Sequence, residues 1–396
     1  MTATGAPAVP HFDVDLFSDD TLTDPYPIYE RFRESAPVVY LPGIDAYVLS
    51  RYDDVRAGLG NHDTFISGRG VGLNDAGNAT RRGVIIASDN PLHDQLRAVL
   101  SERLSPRAMN RLKAEIEQKA DDLVASVVST GTFDAVRDLA QTFPLTIVCD
   151  LIGLPKEDRM RLLEWADAGF NLWGPKNERS TRALPIWANL VEYISTQATR
   201  EKLPPGSMGA SIYEAADRGL ISPDQCPQLF VSYLVAGVDT TINAVANAVD
   251  LFARFPAEWD RLRNDPTLIP SAFEEVLRID APLQLVRRYC VSDVEFGGYR
   301  IPADSNVVMI YASANRDPRK WSEPERFDVT RNPVDHVTFG YGLHGCAGQG
   351  LARLEAHSMF AALAKRVKRF KTGAPVRRLN NVMRGFERLP VTVETV

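Results

Sequence analysis

One cysteine held in a run of glycines constrains this chain more than any other feature. The segment is Phe339-Gly340-Tyr341-Gly342-Leu343-His344-Gly345-Cys346-Ala347-Gly348, and helical spacing begins directly after it. A thiolate in such a place needs stabilisation, which backbone N–H groups, the positive end of the following helix and a metal would all supply. Glycines also let the backbone approach a flat cofactor without a Cβ clash. A lone cysteine is otherwise a small buried hydrophobe and Gly342 and Gly345 ordinary turn residues, so the loop alone leaves both readings open.

The other three cysteines, Cys149, Cys226 and Cys290, share no C-x-x-C spacing with Cys346, which disfavours a zinc ribbon and a disulfide framework. A formal net charge of -6 argues against nucleic acid as the main partner. Residues 1–24 read as an irregular lead-in without a secretory or membrane-spanning pattern, so a cytoplasmic protein with no membrane partner is expected. Length leaves one or two domains open; a single unit over 1–396 is expected.

The pattern along the chain is mainly α, with α+β texture. Pro27 to Glu34 has the spacing of a short helix, and Val38 to Ser50 is strand-rich. The Gly-dense stretch Ser67 to Gly77 reads as a mobile loop. Successive amphipathic helices follow from about Pro91 to Arg200, marked by Leu112, Ile116, Leu123 and Val127. A long helix is expected from about Ser222 to Phe255 and a shorter one from Ala272 to Ile279. Short strands are expected at Val294 to Ile301, Val307 to Tyr311 and Val391 to Val393, with a last helix at about 350–367.

The pattern F-G-x-G-x-H-x-C-x-G resembles the haem-binding loop of the cytochromes P450 at every fixed position, and other motifs of that family follow in its order over most of the chain. The resemblance implies the family's fold, a helical body with small peripheral sheets around haem b, and Cys346 as the axial sulfur ligand. Glu275-Val-Leu-Arg278 is similar to the family's E-x-x-R pair, whose i, i+3 charges share a helix face, and Arg326 to the third member of that buried ionic cluster. His93, Arg97, Arg288 and His344 resemble the residues that hold the two haem propionates. His336 is a weaker candidate left outside that set.

Ala236-Gly237-Val238-Asp239-Thr240-Thr241 sits in the long apolar helix, where an aspartate has poor propensity and a buried charge needs a partner. A local kink from glycine and threonine is the plain reading. The resemblance implies an oxygen-activation groove, in which Thr240 hydrogen-bonds dioxygen or its water and Asp239 relays protons. With no flavin or nicotinamide fingerprint in the chain, it also implies a ferredoxin with an NAD(P)H-dependent reductase as electron source, docking at basic residues such as Arg103 and Arg107.

The family's substrate-contacting places hold Val71, Leu73 and Ile85; Phe170, Leu172 and Trp173; Ser232, Val235 and Ala236; Leu285 and Val286; and Phe386, a lining suited to a flat apolar molecule. The stretches from Ser67 to Asp75 and Gly169 to Glu178 resemble the branch that O-demethylates para-substituted benzoates and related methoxy-aromatics. Gly83 stands where that branch has a serine, and Val231 and Val235 are apolar, although Arg81 and Arg82 are near. A neutral 4-alkylguaiacol is therefore the expected substrate, a benzoate the alternative. A terpenoid or polyketide hydroxylase, a peroxygenase or isomerase, and a non-catalytic haem sensor or carrier are the rival readings.

Overall fold

The computed structural model describes residues 7–396. Helices α1 (Asp19–Thr23) and α2 (Tyr26–Ser35) lead into β1 (Val38–Leu41) and β2 (Ala46–Leu49), followed by α3 (Tyr52–Gly60), β3 (Phe65–Ile66) and α4 (Asp75–Ala79). The helical middle of the chain comprises α5 (Leu92–Arg103), α6 (Pro106–Val128), α7 (Thr142–Ile152), α8 (Arg159–Asn171), α9 (Glu178–Gln197) and α10 (Met208–Asp217), with β4 (Thr132–Asp134) set among them. Next come α11 (Cys226–Arg254), α12 (Pro256–Asn264) and α13 (Ile269–Ile279). Strands β5 (Leu285–Cys290), β6 (Val294–Phe296), β7 (Tyr299–Ile301) and β8 (Ser305–Ile310) precede α14 (Tyr311–Ala314). A long irregular stretch then reaches α15 (Gln349–Arg366), and β9 (Val367–Thr372), β10 (Val376–Leu379), β11 (Arg384–Arg388) and β12 (Pro390–Thr395) end the chain.

Helix α11 organises the rest. From Thr241 to Phe252 every side chain is buried, and a helix apolar on all sides is stable only when covered on all sides. It packs against α7, α8, α9, α13 and α15. It is also long and apolar enough to cross a bilayer, but two thirds of its most apolar stretch is buried by the protein itself. Around it, local signals set the helix ends: Ser105 caps α6 by accepting from the Ala108 N–H with Pro106 in the first turn, and Asn177 and Ser180 form a reciprocal capping box on α9.

The largest sheet has the order β1-β2-β8-β5-β3, antiparallel except for the parallel β2–β8 pair. Strand β5 is buried along both faces, so it lacks the alternation by which a strand is recognised and was not anticipated. The strand expected from Val294 to Ile301 is a hairpin, turned at Gly297 and Gly298 with φ of 55° and 84°. The Gly-dense loop closes in α4, which Asn74 caps. Part of the expected irregular lead-in, residues 1–6, lies outside the described residues. Its remainder carries α1, pairs His11 with Tyr40 and buries Leu16 and Phe17.

Candidate active site

The glycine-dense loop ends at the N-terminus of α15. Gly340 and Gly342 have φ of 72° and 69°, which side chains with a Cβ rarely adopt. These turns direct the Cys346 N–H onto the Phe339 carbonyl at 2.7 Å. Burial pushes the Cys346 thiol up, while the Gly348 and Gln349 N–H groups and the guanidinium groups of Arg97 and Arg353 act in the opposite direction. The sulfur thus sits just ahead of the N-terminus of α15, where the helix dipole and nearby N–H groups favour a thiolate. A Cβ added at Gly348 would meet no atom within 4 Å, which leaves an open cradle beside it.

Behind this loop, Arg278 grips Glu275 in a bidentate pair, Nε to Oε2 at 2.7 Å and Nη2 to Oε1 at 2.8 Å, with both side chains fully buried. Its Nη1 donates to the carbonyls of Asn315 and Pro324. Arg326 is not the third cation of this cluster. Its side chain is half exposed and pairs with Glu323, and only its carbonyl reaches the cluster, accepting from Arg278 at 3.2 Å. The third guanidinium is Arg331, with Nε 3.2 Å from Glu275 Oε1. An uncompensated buried charge would cost several kcal/mol, so the cluster holds only as a set.

On the other side of Cys346, the His93 and His344 rings meet edge to face at 4.5 Å. The Nε2 atoms of both are buried without a hydrogen-bond partner. Burial first, then the charges of Arg288, His93 and Arg97, hold the His344 imidazole down to about 2. Arg97 lines the same cavity, and Arg288 is buried without lining it, its charge acting on His344. Two orphaned imidazole nitrogens and the Arg97 guanidinium in the cavity lining, with the buried Arg288 charge acting on His344, fit a ligand carrying two carboxylates. A haem would find partners for its two propionates in these residues and a sulfur ligand for its iron in Cys346.

Thr240 lines the cavity, and its Oγ1 donates to the Ala236 carbonyl at 2.9 Å. What it offers the cavity is therefore an acceptor. Asp239 departs from expectation: it does not line the cavity and is held by Arg378 from β10, with Oδ1 at 2.9 Å and Oδ2 at 2.7 Å. Burial lowers the Arg378 affinity for its proton, but Asp239 and then Asp167 more than offset this and raise it. Its Nε is 3.7 Å from Asp167 on α8. Asp239 is thus an anchored carboxylate, and a proton relay through it requires Arg378 to yield.

Ile85, Phe170, Trp173, Ser232, Val235 and Ala236 line the cavity as expected substrate contacts, joined by Trp187 and Leu283, which were not anticipated. Six other expected contacts are packed elsewhere. Val71 and Val286 lie in one apolar cluster with β8, Leu73 and Leu285 in a second, and Leu172 and Phe386 in the main core. Phe386 is covered by the Arg377 guanidinium at 3.9 Å. His336 is buried against Glu274 at 3.0 Å.

Arg81 adds a further charged group to the lining. It is 4% exposed, donates to the carbonyls of Gly77 and Gly169, and lies 4.7 Å over the Trp187 ring. Among the described residues no carboxylate pairs with it, and burial pulls its guanidinium down to about 9. A separate groove near α2, lined by Tyr26, Arg316, Arg377 and Arg384 around Asp280, carries ion pairs and lacks the Cys346 loop.

Comparison with known proteins gives a consistent relationship. The family model described as Cytochrome P450 matches residues 212–390. "Cytochrome p450 CYP199A2" of Rhodopseudomonas palustris is 44% identical over 391 residues, 97% of this chain and 94% of that protein. The crystal structure of CalO2 superposes with a TM-score of 0.85 at 31% identity, over 96% of this chain and 99% of that one. Cytochrome P450 CREJ, solved in complex with (4-ethylphenyl) dihydrogen phosphate, has a TM-score of 0.85 at 25% identity, over 94% and 98%.

Proposed function

The chain belongs to the cytochrome P450 family of haem-dependent monooxygenases, and from that premise we propose that it catalyses oxidative O-demethylation of a small methoxy-aromatic such as a 4-alkylguaiacol. The observation that carries this reading is the apolar lining by Ile85, Phe170, Trp173, Val235 and Ala236 beside Thr240. Aromatic and aliphatic walls hold a flat ring by burial and offset stacking.

In this reading Cys346 ligates the haem iron, and His93, Arg97, Arg288 and His344 hold the propionates. When bound, the haem supplies activation of dioxygen and oxidation of the methoxy carbon. The aromatic walls hold that carbon toward the Thr240 face. The Thr240 hydroxyl, fixed by Ala236, accepts a hydrogen bond from a water and so holds a proton donor at that face. One methoxy C–H takes up an oxygen atom, and the other oxygen leaves as water with two protons and two electrons. The hemiacetal then releases formaldehyde and leaves a phenol. The electrons come from a separate redox protein, a ferredoxin in this proposal.

Arg81 favours a second substrate class. A buried guanidinium without a counter-charge is stabilised by a ligand anion, which points to a para-substituted benzoate. The related CREJ structure holds an aryl phosphate, also a para-substituted aromatic anion. Titrating the haem protein with 4-alkylguaiacols and with 4-methoxybenzoate, following the haem absorption shift and formaldehyde release, separates the two. A response to guaiacols that survives Arg81→Gln supports the neutral substrate. A response to the benzoate alone, lost in Arg81→Gln, assigns the anion. No response to either removes the methoxy-aromatic reading.

A further inference from the structure

Glu274 neighbours Glu275 on α13 but has its own partners. Its carboxylate accepts from Arg353 Nε at 2.7 Å and Nη2 at 3.1 Å, and Oε2 lies 3.0 Å from His336 Nε2. The Thr338 N–H donates to His336 Nδ1 at 3.1 Å. That bond makes Nδ1 an acceptor, so Nε2 carries the proton and the imidazole is neutral. Glu274 therefore faces a single cation.

Both partners converge on one ring. The Arg353 guanidinium stands 4.7 Å from the Phe339 centroid, and the His336 ring lies 5.5 Å from it. Phe339 in turn lines the cavity with Cys346 and accepts the Cys346 N–H. The Glu274 side chain is 5% exposed and that of Arg353 30%, so solvent screens the pair incompletely.

We infer that Glu274 is a positioning residue of the thiolate centre: it holds Arg353 and His336 against Phe339 and balances the guanidinium charge that faces the Cys346 loop. The inference rests on Cys346 being the haem ligand. Arg353 stacks its guanidinium on Phe339, whose carbonyl accepts the Cys346 N–H, and Glu274 offsets its charge. Burial opposes ionisation of Glu274, but the hydrogen bonds from His336 and Arg353 and the Arg353 charge outweigh it and hold the carboxyl below its ordinary value. The offsetting charge is present at any working pH.

Removing either charge acts on the iron with opposite sign. Without Glu274 the guanidinium is uncompensated and favours the reduced state; without Arg353 the carboxylate is uncompensated and disfavours it. A loop merely loosened by either change admits water and moves both variants the same way. The experiment is spectroelectrochemical titration of the haem-loaded protein with Glu274→Gln, Arg353→Gln and the double variant. The reduction potential should rise in the first, fall in the second and return near the parent value in the double variant. Shifts in the same direction, or none in variants that keep their haem, would overturn the inference. If Glu274→Gln loses its haem, Arg353→Gln decides: an unchanged or raised potential overturns it. The ferrous–carbonyl spectrum of the parent is recorded first, and absence of a thiolate-type band there refutes the Cys346 assignment itself, a failure distinct from unchanged potentials.

Discussion

Single atoms carry much of this site. The Thr240 hydroxyl spends its proton on the Ala236 carbonyl, so its contribution to the cavity is a fixed lone pair rather than an acid. Thr240→Ala should keep haem content and the substrate-induced absorption shift, while product formed per NADH consumed falls on the order of tenfold. That is less than the 10²-fold typical of a positioned proton-transfer group, because a water can take the vacated place. Peroxide measured beside formaldehyde checks this, and undiminished coupling would remove the role given to Thr240. Gly385 matters for a different reason. A Cβ there would lie 1.8 Å from Oδ1 of Asn243, whose Nδ2 donates to the Asp239 carbonyl at 2.7 Å. Gly385→Ala should cost about 1–3 kcal/mol as overpacking in urea denaturation, and an unchanged midpoint would show that β11 has room to move.

At the scale of elements, the Arg378–Asp239 pair joins β10 to the middle of α11, with Asp167 on α8 beside it. Arg378→Met would leave Asp239 buried without its cation, and a loss of about 3 kcal/mol is expected in equilibrium unfolding. A change below about 1 kcal/mol would mean that Asp239 is hydrated or protonated once released. This pair also marks where the sequence stops being legible. The Cys346 loop, the long helix and Glu275–Arg278 are read directly because the interacting residues are a few positions apart. Arg378 meets Asp239 across 139 residues, Arg331 meets Glu275 across 56, and Arg353 meets Glu274 across 79. No local periodicity announces such pairings. Arg326 illustrates the consequence: its backbone belongs to the cluster, while the cation comes from five residues further on. The apolar contacts divide similarly. Ile85 and Val235 face the cavity whereas Val71 and Leu285 pack into cores, and the face that an apolar side chain presents is settled only by the docking of its element.

For the molecule as a whole, two buried carboxylates hold together parts of the chain that are far apart in sequence. Glu274 ties α13 to α15 and to the Cys346 loop. Asp280 accepts from Tyr26 at 2.9 Å and from Arg384 at 2.8 Å, joining the N-terminal helix α2 to the C-terminal strand β11. Burial raises both carboxyls, but their partners prevail: hydrogen bonds from His336 and Arg353 and the Arg353 charge hold Glu274 below its ordinary 4.5, and Arg384, Arg377 and Arg316 hold Asp280 at about 2, below 3.8. A carboxyl depressed in the folded state stays ionised after the unfolded chain has begun to take up protons. Its contribution is therefore complete above about pH 5 and lost as the pH falls toward about 2. For Asp280 this amounts to about 2–3 kcal/mol over that window. Urea unfolding at a series of pH values should show stability falling steeply below about pH 4.5, and Glu274→Gln, less stable at neutral pH, should show a shallower decline. A wild-type stability that stays level down to about pH 2.5 would mean that neither carboxylate keeps its charge in the folded protein, and that the stapling of the chain ends through Asp280 is weaker than its geometry implies.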